Sequence, residues 1–486
     1  MSNPTPMSPV LLSRYLGQQY PPTDQQAAVI GAEPGPLLVV AGAGAGKTET
    51  MAARVVWLVA NGYARPDEVL GLTFTRKAAQ EMGKRIRDRL GSLAANTDLV
   101  RRLDPSGELA KNLEVIAPTV STYDSYAGEL IREFGLLVPV EPDARLITDA
   151  ELHAIATDVV VNYSGGLITQ LGSNPSLSTI VEDLLALTTA MGNELASPEW
   201  VCEHAHDFLA ETESYPMAPR ARVEFTQVLT KWRSNQEMRV NMLPLVEELA
   251  AELRRRGVVT FNEQMSVAAK LARDHQTVGE SQRSRYRVVM LDEYQDTSHA
   301  QRVLLRSLFG EGADPSLTVT AVGDPMQAIY GWRGATAANL AAFVEDFPSP
   351  AGAASKKQLT TSWRNPPEVL DLANGVSDAV LGTAEDRAVA QLEPRPAADA
   401  GDVALGFFPD QDAEIAYVAD ALAQEYQAAS QEGRALSAAA LVRKNRHSPV
   451  LAAALEERGV PYEIVGLAGL LDVPEVADTV AIATML

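Results

Sequence analysis

Eight residues, Ala41–Thr48 (AGAGAGKT), constrain this 486-residue chain more than any other stretch. Glycines at 42, 44 and 46 let backbone N–H groups turn toward phosphate oxygens. Lys47 is placed to reach β- and γ-phosphates, and Thr48 to ligate Mg²⁺. Such a loop needs a buried strand before it and a helix after it. The flanks supply both: LLVV (Leu37–Val40), and TETMAARVVWLVANG, a helical pattern ended by Gly62. A Gly/Ala-rich turn with an incidental lysine would lack that frame. The stretch predicts a nucleoside triphosphate site, and no NKxD-type segment is present to favour GTP.

The other half of such a site is a carboxylate at the end of a second strand. VVMLDEYQDTS provides Asp292 for the Mg²⁺ shell and Glu293 to position or activate water. Strand-like EVLGLTFT, RVVML and LTVTAVGD alternate with helical stretches, which predicts an α/β fold with a parallel sheet. Residues 137–256 carry no strand series and read as a helical insertion, which explains the wide separation of the two half-sites. The expected organisation is a flexible lead-in (1–22), one sheet domain (23–136 and 257–350), the insertion (137–256) and the beginning of a second α/β domain (351–486). In that last part, ALSAAALVRKN and GVPYEIVGLAG are the expected strands.

A net charge of −22 argues against nucleic-acid binding in general but leaves room for a local basic lane. RKAAQEMGKRIRDR (Arg76–Arg89) is such a run, with Arg76 and Lys77 nearest the strand end; its distal members read equally well as a solvated helix face. One cysteine, Cys202, excludes an internal disulfide and any all-cysteine metal site. No apolar run is long enough for a membrane span, no signal-peptide pattern opens the chain, and the cytoplasm is the expected location. GDPMQAIYGWRGA (Gly323–Ala335) sets an amide, Gln327, close to Tyr330, Trp332 and Arg333. So short a segment sets a polar group close to rings on which bases could stack.

In order along the chain, QAAVI…AGAGAGKT, TFTRKAAQEM, STYDSYA, LDEYQDTS, GDPMQAIYGWRGA and LTTSWRN resemble the blocks of UvrD/Rep/PcrA-type superfamily 1 DNA helicases. The stretch from Gly35 to Ala79 most resembles the AdnB-type motor subunit of actinobacterial helicase–nuclease complexes. The resemblance implies RecA-like motor domains, ATP and Mg²⁺ as cofactors, single-stranded and duplex DNA as partners, a possible second helicase–nuclease subunit, and 3′-to-5′ translocation in repair or recombination. By position it implies that Gln26 contacts adenine and Trp363 stacks on it. Lys47, Thr48, Asp292 and Glu293 keep the roles already argued. Gln327 would sense the γ-phosphate and Arg364 reach it as an arginine finger. Thr73, Thr75, Tyr123, Trp332 and Arg333 would line a single-strand channel, beside which Arg76, Lys77 and Tyr330 are the further candidates for nucleic-acid contact.

Two departures affect that channel: Arg76 replaces a frequent asparagine, and Asp124 stands where histidine is frequent. Strings of the GLEW and ALTRA kind, expected after Arg364, do not occur. The resemblance therefore implies a first motor domain, its insertion and the opening half of a second, with ATP bound but slowly hydrolysed by these residues alone. Competing expectations are a DNA-clamping subunit with a weak ATPase, and a phosphate-loop ATPase with no nucleic-acid role.

Overall fold

The computed structural model describes residues 6–138, 141, 144–165, 175–215, 225–331, 334–335, 337–350, 352–382, 389–465 and the single positions 476, 479 and 482. Six strands make one sheet: β1 (Leu37–Ala41), β2 (Val69–Thr73), β3 (Thr119–Thr122), β4 (Val288–Leu291), β5 (Thr318–Gly323) and β6 (Ser355–Leu359). All neighbours run parallel, in the order β3–β2–β4–β5–β1–β6. Every residue of β1, β2, β4 and β5 is buried. Helices cover both faces, so these strands are written as near-continuous apolar runs without alternation. Helices Lys47–Ala60 and Arg76–Ala95 pack one face through Val55, Leu58, Met82 and Ile86. Helices Tyr123–Phe134, Phe261–Asp274 and His299–Phe309 pack the other through Tyr126, Leu130, Ala269 and Leu304.

Two sequence expectations change here. The described part of the lead-in is docked: Pro9–Tyr15 is helical, Leu12 is buried, and the Trp57 indole N–H donates to the Met7 carbonyl at 2.6 Å. A buried indole N–H needs an acceptor, and this chain end supplies it. The boundary at 350 also fails, because SKKQL (β6) pairs with β1 from Leu37↔Ser355 to Ala41↔Leu359. Its polar, lysine-bearing face is what an exposed edge strand carries, so it has no apolar signature.

The insertion leaves the sheet after Phe134 and returns before Phe261. Helices Asp149–Asn162, Leu177–Glu194, Pro198–Glu213 and Gln227–Arg255 build it around Ile155, Leu184, Leu245 and Leu249. Arg145–Leu146 pairs in parallel with Val258–Val259, which ties its two ends together.

The chain divides into two compact units, residues 1–401 and 402–486. In the second, helices Gln411–Gln431 and Ser448–Glu457 pack through Ala419, Ala423, Leu451 and Leu455. Among the described residues of this unit there is no strand, and the end of the expected strand GVPYEIVGLAG lies outside the described residues. Leu405, Phe407, Leu441 and Val465, outside its helices, are exposed. Apolar runs become strands only where another backbone completes the ladder. No helix among the described residues is long and apolar enough to cross a membrane.

Candidate functional site

Parallel strands deliver their following loops to one rim. Three neighbours matter here. β4 leads to Asp292–Asp296, β5 to Asp324–Gln327, and β1 to the phosphate loop, with Leu291 opposite Ala321 and Gly323 opposite Val40. The residues read as two half-sites in the sequence are thus brought into one cleft.

At the phosphate loop, Gly44 (φ +75°) and Gly46 (φ +80°) hold left-handed backbone. Gly46 is the N-cap of helix Lys47–Ala60 and offers no side-chain cap. The helix Arg76–Ala95, by contrast, is capped by the Thr75 hydroxyl, which accepts from Ala78 N–H. An uncapped helix start presents its first N–H groups and the positive end of its dipole to an anion. Close approach reinforces the glycine requirement: a Cβ at Gly42 would lie 2.1 Å from Leu392, and one at Gly44 2.7 Å from the Ser362 hydroxyl. The Trp363 N–H donates to the Gly44 carbonyl at 2.9 Å, so the SWRN segment sits against the loop with Trp363 and Arg364 exposed beside it. The Tyr20 ring lies 6.3 Å from the Trp363 ring.

Gln26 is the third residue of helix Asp24–Ile30 and closes its capping box with Thr23. Its carboxamide oxygen accepts from the Thr23 N–H at 3.1 Å, and its NH₂ reaches the Ala45 carbonyl at 3.4 Å. One donor and one lone pair remain for a base edge. The neighbouring Gln25, not singled out in the sequence, clasps Thr360 through its N–H and its hydroxyl, both at 2.8 Å.

Opposite the loop, Lys47 Nζ lies 2.9 Å from Glu293 Oε2. Glu293 has φ +49°, an uncommon conformation for a side-chain-bearing residue, held at the turn where β4 ends. Asp292 is 5% exposed, and its carboxyl is pushed up to about 6, chiefly by burial and next by Glu293, while Lys47 pulls it down. Thr48 and Asp292 fit a magnesium site of the kind in which one carboxylate, one hydroxyl and substrate phosphates suffice. Among the described residues no denser cluster of metal-binding side chains exists.

A buried polar network continues from Glu293. Gln295 donates to Glu293 Oε2 at 2.9 Å and to Asp296 Oδ2 at 3.1 Å, and its oxygen accepts from the Asp324 N–H at 3.0 Å. Asp324 accepts from the Gln327 amide at 2.6 Å, and Asp296 accepts from the Ile329 N–H at 3.0 Å. Burial raises the Asp296 carboxyl above its usual range.

The expected channel residues divide. Thr75, Arg76 and Lys77 are exposed at the rim. Thr73 and Tyr123, expected beside them, are buried instead, at 1% and 2% exposed. Tyr123 faces the core, where burial raises its hydroxyl well above the ordinary value, and that hydroxyl donates to the Asp292 carbonyl at 3.0 Å. Sequence gave the residue type but not the direction of its ring. Phe74, overlooked in the sequence, bridges Tyr123 (4.9 Å) to Tyr330 (5.8 Å, stacked). Arg85 and Arg89 in the basic run pair with Glu49 of the phosphate-loop helix. Trp332 and Arg333 lie outside the described residues. Arg54, also overlooked, is fully buried and donates to the carbonyls of Val29, Ile30 and Ala32, fixing helix Asp24–Ile30 against the loop helix.

Residues 22–348 match the family model described as the UvrD/REP helicase N-terminal domain. The ATP-dependent DNA helicase UvrD1 of Mycobacterium tuberculosis is 28% identical over 473 residues, which cover 94% of this chain and 51% of that protein. The same species' ATP-dependent DNA helicase UvrD2 is 27% identical, covering 93% and 56%. The ATP-dependent DNA helicase PcrA of Staphylococcus epidermidis is 24% identical, covering 93% and 52%. The chain spans about half the length of the curated relatives it matches.

Proposed function

The chain belongs to the UvrD/REP helicase family, and from that premise we propose that the whole protein is an ATP-driven 3′-to-5′ DNA translocase and helicase whose engine is the rim cleft of β4, β5 and β1. One observation carries this reading: Lys47, Asp292, Glu293 and the Gln327 turn, far apart in sequence, meet on three adjacent strand ends.

In the proposed cycle the loop amides and Lys47 take the terminal phosphates. Thr48 and Asp292 would hold Mg²⁺, which would supply positive charge against the phosphates. Lys47 leaves Glu293 for phosphate, which frees that carboxylate to take a proton from water as the water oxygen bonds to the γ-phosphorus. The bridging P–O bond breaks, and ADP and inorganic phosphate result. Gln327 registers the terminal phosphate, Arg364 adds positive charge, and Gln26, Trp363 and Tyr20 hold the base. Thr75, Arg76, Lys77 and Tyr330, with Trp332 and Arg333, meet single-stranded DNA beside the cleft, with duplex DNA ahead. Residues 23–136 and 257–359 act as the first motor domain, 137–256 as its insertion, and 402–486 as part of a second. Service in repair or recombination as a helicase–nuclease subunit is the finer reading, supported by the Gly35–Ala79 resemblance.

Steady-state ATP hydrolysis with and without single-stranded DNA tests the proposal. DNA should stimulate turnover by the full protein at least tenfold, and Lys47→Ala should reduce it by 10³ or more, on the order of what phosphate-clamping groups contribute. Turnover indifferent to DNA, or to Lys47→Ala, refutes the reading.

A further inference from the structure

Nothing in the proposed cycle yet explains how the state of the phosphate cleft reaches the segment that meets DNA. Gln327 is one residue of that segment, and its amide is spent locally on Asp324. The longer route runs through a residue with no chemical role of its own.

Gln295 is 1% exposed and stands between the two loops. Its three polar contacts divide cleanly: one to Glu293, the partner of Lys47, and two to the side of the cleft that leads to DNA, through Asp296 and the Asp324 N–H. Asp296 then accepts from the Ile329 N–H, next to Tyr330. A carboxamide alone fits this slot, since two carboxylates require donors on one side and a backbone N–H requires an acceptor on the other. Glutamate would face Glu293 and Asp296 with like charge. Close approach confirms that the slot is built: a Cβ on Gly323 would lie 2.6 Å from Gln295 Oε1.

We infer that Gln295 is the positioning residue that couples occupancy of the phosphate cleft to the DNA-facing segment Asp324–Tyr330. While Lys47 holds Glu293, that carboxylate is shared between the ammonium and the Gln295 amide. When Lys47 turns to phosphate, Glu293 swings toward water, Gln295 follows or releases it, and the change passes to the Asp324 and Ile329 backbone. A buried network with two discrete arrangements transmits such a shift because packed interiors do not deform continuously. This inference rests on the motor reading above and adds the element that links its two sites.

The test is thermodynamic linkage, measured on the full protein as the affinity for a fluorescent oligo-dT with and without a non-hydrolysable ATP analogue and Mg²⁺. The parent should show a nucleotide-dependent shift of about fivefold or more. Gln295→Leu, which keeps the width of the side chain, should bind the analogue and the nucleotide-free DNA within about threefold of the parent, with the shift collapsed to under about twofold. Asp296→Asn, which retains an oxygen for the Ile329 N–H and places an amide opposite Gln295, should diminish the shift in the same sense and serves if Gln295→Leu fails to fold. A full parental shift in either folded variant overturns the inference and leaves the motor reading standing. Loss of both affinities together in a folded variant, in proportion, also overturns it, because the residue is then merely structural. A parent that binds no DNA, or binds it without regard to nucleotide, sinks the motor reading itself and this inference with it.

Discussion

The rim of the six-stranded sheet and the unit from 402 onward are written in similar letters. Both carry short apolar runs between helices, and both read as strands. In the first, every run finds a parallel neighbour, and the loops between them become fixed points for chemistry. In the second, among the described residues, Leu405, Phe407, Leu441 and Val465 lie exposed outside any strand. The difference teaches that an apolar run is a request for a partner, and that a functional rim exists only where the request is met.

Core substitutions should separate the regions most strongly. Leu305, fully buried beneath the sheet, should cost about 2–5 kcal/mol when changed to alanine, whereas Leu441→Ala, at 95% exposure, should change either unfolding transition by less than about 0.5 kcal/mol. Denaturant unfolding of the two variants reads both. Equal costs would mean that the 402–465 runs are paired in solution and the contrast is false.

A smaller effect concerns what the rim gives up for function. The Asp292 carboxyl is raised to about 6 in the folded chain, above its unfolded value near 3.9. Below the unfolded value the carboxyl is protonated in both states and costs nothing. Between the two values the folded state binds the extra proton, so stability falls as pH rises through about 6 and stays lower above it. Asp292→Asn should therefore melt higher than the parent at pH 7.5, by roughly 1–3 kcal/mol, with the gain shrinking toward pH 4, while losing hydrolysis. Thermal melts across pH check the sign. A variant less stable than the parent at pH 7.5 would show that Lys47 outweighs burial.

Much of the rim was legible beforehand. The phosphate loop and the Asp292–Glu293 pair are local patterns whose chemistry travels with a few neighbouring residues, so the flanking strand and helix were enough to place them. The helical character of residues 149–255 was legible through their lack of a strand series. What escaped shares one physical reason: it depends on a partner distant in sequence. Gln295 gains its meaning from Asp324 on the next strand, Gln25 from Thr360, and Phe74 from the rings on either side. The resemblance puts Tyr123 in a channel by position, yet its helix turns its ring inward, where the hydroxyl donates to the Asp292 carbonyl. SKKQL hid as a strand because edge strands carry polar faces.

The central claim is that phosphate grip and the DNA-facing segment form one responsive unit on adjacent strands. Hydrogen exchange of the full protein, with and without a non-hydrolysable ATP analogue and Mg²⁺, addresses it most directly. Protection should rise together in 42–50 and 324–331, by tenfold or more, while helix Pro198–Glu213 in the insertion stays unchanged. A rise confined to 42–50, with 324–331 exchanging as before, would contradict the account.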